Sequence, residues 1–387
     1  MSQRLAIITT HPIQYYAPLF RLLANESSFA IKVFYTFEKD ASKFDEGFGR
    51  SFEWDIPLLN GYEYTFVSND GDTGKRFRDV KNPTLIEEIK NWNATAVLVF
   101  GWNYHSHLNA MRYFKGKIPV LFRGDSNLID NQSGIKSLMR KYFLTRVYRN
   151  VDYALYVGQA NKAYYHKFGL KDDQLVFAPH AIENERFLNL IHTQEIELNE
   201  LKKKLGIQPN DIGILFCGKF QEKKNPLLLT TAFSRLPDKN IKLIMVGDGE
   251  LEEQIREAAT NDDRIKMLPF QNQSTMPLIY RLGQIFCLPS KGPGETWGLA
   301  VNEAMASGCV VLVSDKVGCA QDLVVPEKNG VVFKSDDVDD LELKLKGLIA
   351  KSQSFSSMGN RSKDIISNSW NYSLIVKAIS NLINKGK

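Results

Sequence analysis

Two carboxylates, set apart in an otherwise uncharged stretch, are the first residues whose spacing suggests chemistry. Glu295 and Glu303 stand in GETWGLAVNEAMASG, separated by seven residues that carry no other charge. A helix that begins near Trp297 or Gly298 leaves Glu295 just before its first turn and carries Glu303 in its second turn. Both carboxylates could accept hydrogen bonds from hydroxyl groups, and the free amides near Gly298 and Leu299 could bind phosphate oxygens.

A structural interpretation of the same two residues also exists. It makes Glu295 a capping group at the helix N-terminus and Glu303 a solvated surface charge. However, the small apolar residues Ala300, Ala304 and Ala306 surround Glu303 in the sequence. Such neighbours do not indicate a solvated helix face, so the pattern argues against Glu303 as a surface charge.

Lysines follow an apolar run in FCGKFQEKKNP. Gly218 and Lys219 come directly after the run, and Lys223 and Lys224 stand at the start of a predicted helix. Two ammonium groups and helix-end amides at one strand end suit a diphosphate, although a solvated lysine cluster is the alternative. A second run ends in VGDGE, where Gly247 allows a backbone or a ligand to approach closely.

The elements that would position these residues form two series. Short apolar runs recur at RLAIITT, IKVFYTF, TAVLVFGW, IPVLFRG, DYALYVG and LVFAPHA, and again at IGILFCGKF, IKLIMVGDGE, RIKMLPF, QIFCLPS, CVVLVSD and GVVF. Runs that are apolar on both faces indicate strands of covered parallel sheets. The charged segment TQEIELNELKKKLGI separates the series, so we predict two α/β units with ligands at the strand ends.

Composition sets only broad limits. The 387 residues favour two domains, and the formal charge of +5 is too small to specify an anionic partner. The four cysteines match neither a zinc site nor a disulfide framework, so we expect packed, reduced thiols. The first apolar run is typical of a strand rather than a signal peptide, and no run of about twenty apolar residues predicts a membrane span. These features predict a cytoplasmic protein.

The ordered motifs resemble a known family. Gly218 with Lys219, then Lys224, VGDGE, Glu295 with Glu303, and EAMASGCVVLVSDKVGCAQDLV are similar to the C-terminal half of retaining glycosyltransferases of family 4. The resemblance is strong over residues 209–335 and extends to the N-terminal half only in outline. It implies the GT-B fold, an α/β architecture in which two Rossmann-like, doubly wound domains face each other across a cleft.

The resemblance also implies a division of the chain. We predict an acceptor-side domain over residues 1–190, a linker over 191–208 and a nucleotide-sugar-binding domain over 209–370. A C-terminal helix over 371–387 would follow, and packing of this helix against the N-terminal domain is one alternative.

Carried over by position, the family pattern assigns roles to individual residues. Lys219 and Lys224 would neutralise the leaving diphosphate, Glu295 would bind donor-sugar hydroxyls, Glu303 would bind the ribose, and Phe270 would offer backbone groups to the base. The catalytic set implied is Glu295, Lys219, Lys224 and Asp125. The donor-binding set is Gly218, Lys219, Lys224, Gly247, Phe270, Glu295, Thr296, Trp297, Gly298, Leu299 and Glu303.

We expect no metal and no cofactor, because no DxD-type pair ends a strand and lysines can supply the counter-charge. The donor would be a nucleoside-diphosphate sugar, with a UDP- or GDP-sugar favoured.

The N-terminal half departs from the family pattern. A glycine-rich loop commonly follows the first strand of the family, but this chain has TTHPIQYYAP. Where many members carry a histidine near the reacting sugar, IPVLFRGDS offers Arg123, Gly124 and Asp125. His105 and His107 in GWNYHSH are other candidates, against packed or solvated histidines as the alternative. The predicted acceptor contacts are His11, Gln14, Tyr15, His105 and Arg123.

A basic amphipathic segment spans residues 134–150. It mixes apolar side chains with five lysines and arginines and contains no acidic residue. The pattern predicts peripheral contact with an anionic membrane at the inner face of the plasma membrane, and an ordinary helix covering the sheet is the alternative. Dispersed basic residues without a recognisable module argue against nucleic-acid binding.

The leading functional hypothesis is a retaining glycosyltransferase. It would move a hexose-type sugar from a nucleoside diphosphate to a carbohydrate or lipid-linked glycan, as in bacterial surface-polysaccharide biosynthesis. A nucleotide-sugar epimerase of the same fold and a non-catalytic nucleotide-sugar-binding partner are the alternatives. An epimerase would turn over the donor without an acceptor, and a binding partner would not turn it over at all.

Overall fold

The chain forms two compact units. The structure, a computed structural model, describes residues 3–37, 44–45, 50–51, 53–71, 76–130 and 134–384. Residues 1–2 and 385–387, the outer ends of the predicted domain bounds, lie outside the described residues. The first unit comprises the described residues of Met1–Asp45, Ser51–Pro179 and Tyr372–Lys387, and the second those of Glu46–Arg50 and His180–Asn371.

The strands match the apolar runs of the sequence closely. They are β1 Arg4–Thr9, β2 Ala30–Tyr35, β3 Phe44–Asp45, β4 Arg50–Ser51, β5 Glu63–Phe66, β6 Ala96–Phe100, β7 Val120–Arg123, β8 Tyr153–Tyr156, β9 Leu175–Phe177, β10 Ile212–Cys217, β11 Ile241–Val246, β12 Ile265–Leu268, β13 Ile285–Leu288, β14 Val310–Ser314 and β15 Gly330–Phe333. Every predicted run contains a strand. The apolar runs did not indicate β5, because it is short and half of its residues are exposed.

Helices alternate with the strands. They are α1 Ala17–Glu26, α2 Leu85–Asn91, α3 His105–Phe114, α4 Ile135–Tyr148, α5 Gln159–Lys167, α6 Glu185–Leu188, α7 His192–Lys204, α8 Pro226–Ser234, α9 Glu252–Asn261, α10 Met276–Ile279, α11 Leu299–Ala306, α12 Ala320–Leu323, α13 Val338–Ile349, α14 Phe355–Ser369 and α15 Tyr372–Asn384. Short 3₁₀ turns occur at Asp172–Gln174, Glu222–Lys224 and Ser352–Ser354. None of the described helices combines the length and apolar character needed to cross a membrane.

Each unit is built on a parallel sheet. The strand order is β5-β2-β1-β6-β7-β8-β9 in the first unit and β12-β11-β10-β13-β14-β15 in the second. Strand order reverses direction between β1 and β6 in one sheet and between β10 and β13 in the other. Ligands of open α/β sheets bind at such switch points, beyond the carboxyl ends of the strands. The predicted α/β class with two parallel, Rossmann-like sheets is confirmed.

The sheets are covered because their strands are apolar on both faces. All of β6 and β14 is buried, including Val97, Val99, Val310 and Leu312. The cysteines follow the same rule: all four are free, and Cys217 alone among them is less than fully buried. Burial raises the pKa of the Cys309 thiol to about 12, so these side chains act as packed apolar groups.

The boundary between the units falls earlier in the chain than the predicted linker. The first unit ends at Pro179, and the segment predicted as a linker contains α7, which packs on α10 in the second unit. Within the second unit the Asn184 carboxamide donates to the backbone oxygens of Ile366 and Trp370, at 3.4 and 3.1 Å. Residues before the charged segment are therefore already part of the second unit.

The C-terminal helix α15 belongs to the first unit. The Gln3 side chain donates to the Ile383 backbone oxygen at 2.7 Å, and the Tyr372 hydroxyl donates to the Tyr15 oxygen at 2.9 Å. The helix also packs on α1 and β9. The chain thus returns to the first unit after completing the second.

His107 joins two strand ends of the first unit. Its Nε2 lies 2.9 Å from the Thr36 hydroxyl, just past β2, while its Nδ1 lies 3.1 and 3.0 Å from the backbone oxygens of Phe100 and Gly101, at the end of β6. The ring is fully buried, and burial lowers its pKa from 6.5 to about 4. Two carbonyl acceptors require a proton on Nδ1, so Nε2 accepts from Thr36 in the neutral ring.

His107 should make the first unit sensitive to acid. Its folded pKa lies below its unfolded pKa, so its contribution is complete above pH 6.5 and is lost as the pH falls towards 4. Across this window the loss amounts to roughly 3 kcal/mol. Urea denaturation from pH 7 to 4.5 should show a steeper loss of stability in the wild type than in His107→Gln. Equal pH slopes in the two proteins would contradict this account.

Candidate active site

The predicted site residues of the second unit gather at its switch point. Gly218 and Lys219 follow β10, and Ser290 and the loop to Gly298 follow β13, the strand that pairs with β10. Since both strands are parallel, their carboxyl ends lie at one edge of the sheet. Segments far apart in the sequence are therefore brought together there.

Lys224 and Glu295 form an ion pair at this edge. Lys224 Nζ lies 2.5 Å from Glu295 Oε2, and the Ser290 hydroxyl donates to the same oxygen at 2.9 Å. The Glu295 side chain is only 9% exposed. Removing one partner of such a pair leaves an uncompensated charge and typically costs 3–5 kcal/mol. The ammonium and the carboxylate are thus one structural feature rather than two independent contacts.

A tight turn presents Lys224. It ends the 3₁₀ turn Glu222–Lys224, and Asn225 follows in the left-handed region with φ 53° before Pro226 opens α8. The Asn225 carboxamide donates to Asp336 Oδ1 at 3.1 Å, which holds the turn from its other side. The position of the ammonium group therefore depends on backbone geometry that few residue types adopt.

The Glu295 loop is tied to the segment after β14. The Gly318 amide donates to the backbone oxygen of Glu295, and the Cys319 amide donates to the backbone oxygen of Trp297, both at 3.0 Å. Gly298 then turns the chain into α11 with φ 95°, and a Cβ there would lie 3.0 Å from Val317 Cγ1. These contacts fix Glu295 directly before the helix, as the sequence predicted, and no side-chain hydrogen bond caps α11 at Gly298.

The Trp297 side chain serves packing. Its indole nitrogen donates to Asn302 Oδ1 at 2.8 Å, and Asn302 Nδ2 donates to the His180 oxygen at 3.0 Å. The indole also packs, in tilted orientations, against the His180 and Trp370 rings, at centroid distances of 5.7 and 5.1 Å. Trp297 therefore holds the loop against the first and last segments of the second unit.

Glu303 is a buried carboxylate. It is 3% exposed, and the Tyr280 hydroxyl donates to its Oε2 at 2.7 Å. It lies four residues into α11, about 6 Å along the helix axis from Leu299. The interpretation of Glu303 as a surface charge is excluded by its burial, as the alanines around it indicated.

VGDGE connects the ends of three strands. A Cβ on Gly247 would lie 2.0 Å from the Gly218 oxygen, so the glycine permits close backbone approach. Asp248 accepts from the Phe270 amide at 3.0 Å, and its backbone oxygen accepts from Phe220 at 2.8 Å. The Phe270 amide thus has a partner within the protein.

The lysines near β10 differ in their surroundings. Lys219 is half-buried, and its backbone oxygen accepts from the Gln221 amide at 2.9 Å, whereas the Lys223 side chain is exposed. Lys291 is paired with Glu222 at 2.6 Å. Among these lysines, Lys224 is the one that forms the ion pair with Glu295 described above.

The candidate residues of the first unit surround its own switch point. His11 follows β1, stacks on Phe37 at 5.7 Å and lies 3.0 Å from the Thr10 hydroxyl; burial lowers its pKa. Gln14 and Tyr15 are half-buried in the following loop. His105 begins α3 beyond β6 and is exposed, unlike His107. Predicted acceptor residues from separate loops thus share one edge of this sheet.

Arg123 and Asp125 form another part of this edge. The buried Arg123 guanidinium donates to the backbone oxygens of Ala178 and Pro179, at 2.8 and 2.9 Å. Asp125 is half-buried. Burial of the Tyr16 hydroxyl, together with the negative charge of Asp125, raises the pKa of Tyr16 to about 12. Arg123 secures the last residues before the second unit, and the catalytic role of Asp125 stays a prediction.

Two site residues were not predicted from the sequence. Ser290 ends the run QIFCLPS, and Tyr280 stands in a segment that gave no motif. Both donate to a candidate carboxylate. Ser290 could have been suspected from its place at a strand end, but only the folded chain relates Tyr280 to Glu303.

Comparison with known proteins finds sequence similarity in the part of the chain that carries the candidate site of the second unit. A family model described as glycosyl transferases group 1 matches residues 198–365. The sulfoquinovosyl transferase SQD2 of Arabidopsis thaliana is 28% identical over 188 residues, which are 48% of this chain and 35% of that protein. The alpha-monoglucosyldiacylglycerol synthase of Streptococcus pneumoniae is 27% identical over 183 residues, 46% and 41% of the two chains. The chain therefore spans well under half the length of these relatives.

Solved structures match over the whole chain. Sucrose-phosphate synthase from Thermosynechococcus elongatus has a TM-score of 0.76 at 17% identity and covers 99% of both chains. Anabaena HepE in complex with UDP has a TM-score of 0.75 at 15% identity and covers 100% of both. These matches confirm the predicted GT-B fold with its two Rossmann-like domains. In sequence, residues 198–365 of this chain are similar to the glycosyl transferases group 1.

Proposed function

We propose that the chain is a retaining glycosyltransferase that takes its sugar from a nucleoside-diphosphate sugar. The observation that carries the proposal is the Lys224–Glu295 pair, which the fold places at the switch point of the second sheet beside α11. The ammonium group can bind phosphate, and the carboxylate can accept hydrogen bonds from sugar hydroxyls. A structural neighbour was solved with UDP, which supports a nucleotide as the ligand class.

The ion pair would help to stabilise the negative charge that develops on the diphosphate during sugar transfer. Departure of the leaving group from the anomeric carbon concentrates negative charge on the diphosphate, and a positioned cation stabilises that charge. Lys224, held by Glu295 before the donor binds, would be in place without reorganisation. Lys219 would add a second positive charge, and the first amides of α11 would bind further phosphate oxygens. In this proposal the counter-charge comes from the protein rather than from a metal.

Glu303 would bind the ribose. Its burial keeps it away from bulk water, where a hydroxyl would compete poorly with solvent, and Tyr280 orients its carboxylate. The backbone around Phe270 would approach the base, with its carbonyl oxygen as the contact, since the amide already donates to Asp248. UDP- and GDP-sugars are the proposed donors.

The acceptor would bind at the switch point of the first unit. His11, Gln14, Tyr15 and His105 are the proposed contacts, and Asp125 is the proposed catalytic carboxylate there. We propose a glycan or a lipid-linked glycan as acceptor, in the biosynthesis of a bacterial surface polysaccharide. One relative is named for a glucosylated diacylglycerol, which supports a lipid-containing acceptor.

Helix α4 supports peripheral membrane contact at the cytoplasmic face. Leu144 and Val147 are buried in the core, as an ordinary covering helix requires, but Leu138, Met139 and Tyr142 are 68%, 69% and 72% exposed. The basic side chains of the helix are exposed as well. Exposed apolar groups among cations suit the boundary of an anionic bilayer.

Nucleotide binding tests the donor site directly. A nucleoside diphosphate at about a hundred times its Kd should stabilise the protein by roughly 2.7 kcal/mol. Thermal shifts with UDP, GDP, ADP, CMP and dTDP should be selective, and Lys224→Ala should lose most of the shift relative to its own ligand-free Tm. Lys223→Ala removes an adjacent but exposed charge and is the matched control. An equal loss of the thermal shift in both variants would show that only the overall positive charge matters, and it would refute a specific contact between Lys224 and the phosphate.

The two glutamates should separate in kinetic measurements. Loss of one charged hydrogen bond to the sugar in Glu295→Gln should lower kcat/KM about ten- to hundredfold. Glu303→Gln should chiefly raise the Kd for the nucleoside diphosphate, by about tenfold. Chemical denaturation checks the fold of each variant. Similar thermal destabilisation of both, with unchanged nucleotide Kd, would indicate that the carboxylates are structural.

The products distinguish the reaction classes. Incubation with donor and acceptor should yield a glycoside whose anomeric configuration, read by proton NMR, matches that of the donor. Inversion would refute the retaining mechanism. Conversion of the donor sugar into an epimer without an acceptor would instead favour the epimerase.

A further inference from the structure

A pocket of about 520 Å³ lies within the first unit and has no part in the donor chemistry. Its apolar walls are Phe77, Trp102, Leu108 and Phe143. The volume falls within the range of roughly 300–1,000 Å³ that is typical of small-molecule sites. The pocket is therefore large enough for an organic ligand.

Three separate segments build the pocket. Trp102 lies just beyond β6, and its ring meets Phe143 of α4 edge-on at 5.5 Å. Phe77 meets the ring of His105, at the start of α3, edge-on at 6.1 Å, and its backbone oxygen accepts from the His105 amide at 2.8 Å. These ring contacts hold the walls in place, so the pocket belongs to the fold and is not a gap beside one loop.

The chemistry of the lining favours an apolar hydrocarbon chain over a sugar as the ligand. A sugar ring presents hydroxyl groups that need several polar partners, whereas the lining is mainly aromatic and aliphatic. Its polar members are Asn103, His105 and Arg112, and Arg112 is a permanent cation. An apolar chain with an anionic group at one end matches this distribution.

The rim of the pocket continues onto helix α4. Phe143 lines the pocket and is 45% exposed, and its neighbour Tyr142, together with Leu138 and Met139, extends an apolar surface along the helix. Residues 134–150 contain five lysines and arginines and no acidic residue. The surroundings are thus apolar next to the pocket and positive around it, which complements an anionic amphiphile.

We propose that this pocket binds the apolar chain of a lipid-linked acceptor, with the anionic phosphate beside the chain bound by Arg112. The choice of acceptor as the source of the chain rests on the proposed function. The site lies beyond β6, at the switch point that also carries His11 and His105. The acceptor would thus be bound by its chain as well as by its sugar, and chain-free analogues would bind more weakly.

Titration with a model amphiphile tests the pocket without catalysis. Decyl phosphate, kept below the concentration at which it forms micelles, should bind the full-length protein in isothermal titration calorimetry. Ethyl phosphate, which carries the head group without the chain, should give no measurable binding. Phe143→Glu should weaken decyl phosphate binding at least tenfold, because it places a negative charge in the apolar wall. Arg112→Gln should weaken it severalfold through loss of the phosphate contact.

Tyr64→Ser is the matched control. Tyr64 is an exposed aromatic residue of β5, at the edge of the same sheet, and it does not line the pocket, so binding should stay within about twofold of the wild type. Phe77→Glu provides a second pocket variant in case Phe143→Glu does not fold. No binding by the wild type, or equal binding by the wild type and a folded pocket variant, would overturn the proposal.

The nucleotide thermal shifts, measured on the same preparations, separate this inference from the proposed function. Nucleotide binding without decyl phosphate binding would refute the chain pocket and leave the donor site intact. Decyl phosphate binding without any nucleotide shift would establish an amphiphile pocket and refute its use by a glycosyltransferase acceptor. Both results together support a lipid-linked acceptor.

Discussion

Parallel pairing of β10 with β13 is the constraint on which the candidate site depends. It places the ends of two strands at one edge of the sheet, so that the turn before α8 and the loop before α11 approach each other. The Lys224–Glu295 contact follows from this arrangement. Because the strands are buried on both faces, a shift in register would disrupt close packing on both faces of the sheet, and this cost maintains the geometry of the site.

The ion pair has two opposite effects on the protein without a ligand. It removes two charges from water, which costs free energy, and it regains much of that cost through mutual attraction and the Ser290 hydroxyl. A diphosphate would offer Lys224 a second anionic partner at the same place. In the proposed function, the diphosphate would meet an ammonium group that the fold has already largely removed from water, so this part of the desolvation cost would not fall on ligand binding.

The strands could be predicted from the sequence because each covered strand is a continuous apolar run, and the alanines beside Glu303 argued against a surface charge there. Contacts between distant segments could not be predicted in this way. The Tyr280 hydroxyl reaches Glu303, and Asn184 joins the second unit through Ile366 and Trp370. Local patterns contain no information about such pairs, which explains the displaced domain boundary and the absence of Tyr280 from the predicted site. The role of Arg123 was equally hidden, since its partners are backbone oxygens that any residue would provide.

Trp297 links the site to the two places where the chain enters and leaves the second unit. Its indole contacts His180, the first residue of the main part of that unit, and Trp370, next to the last. The same residue is separated from Glu295 by one position in the sequence. One ring therefore packs against both ends of the main part of the second unit, so the position of the loop that carries Glu295 depends on the packing of both ends.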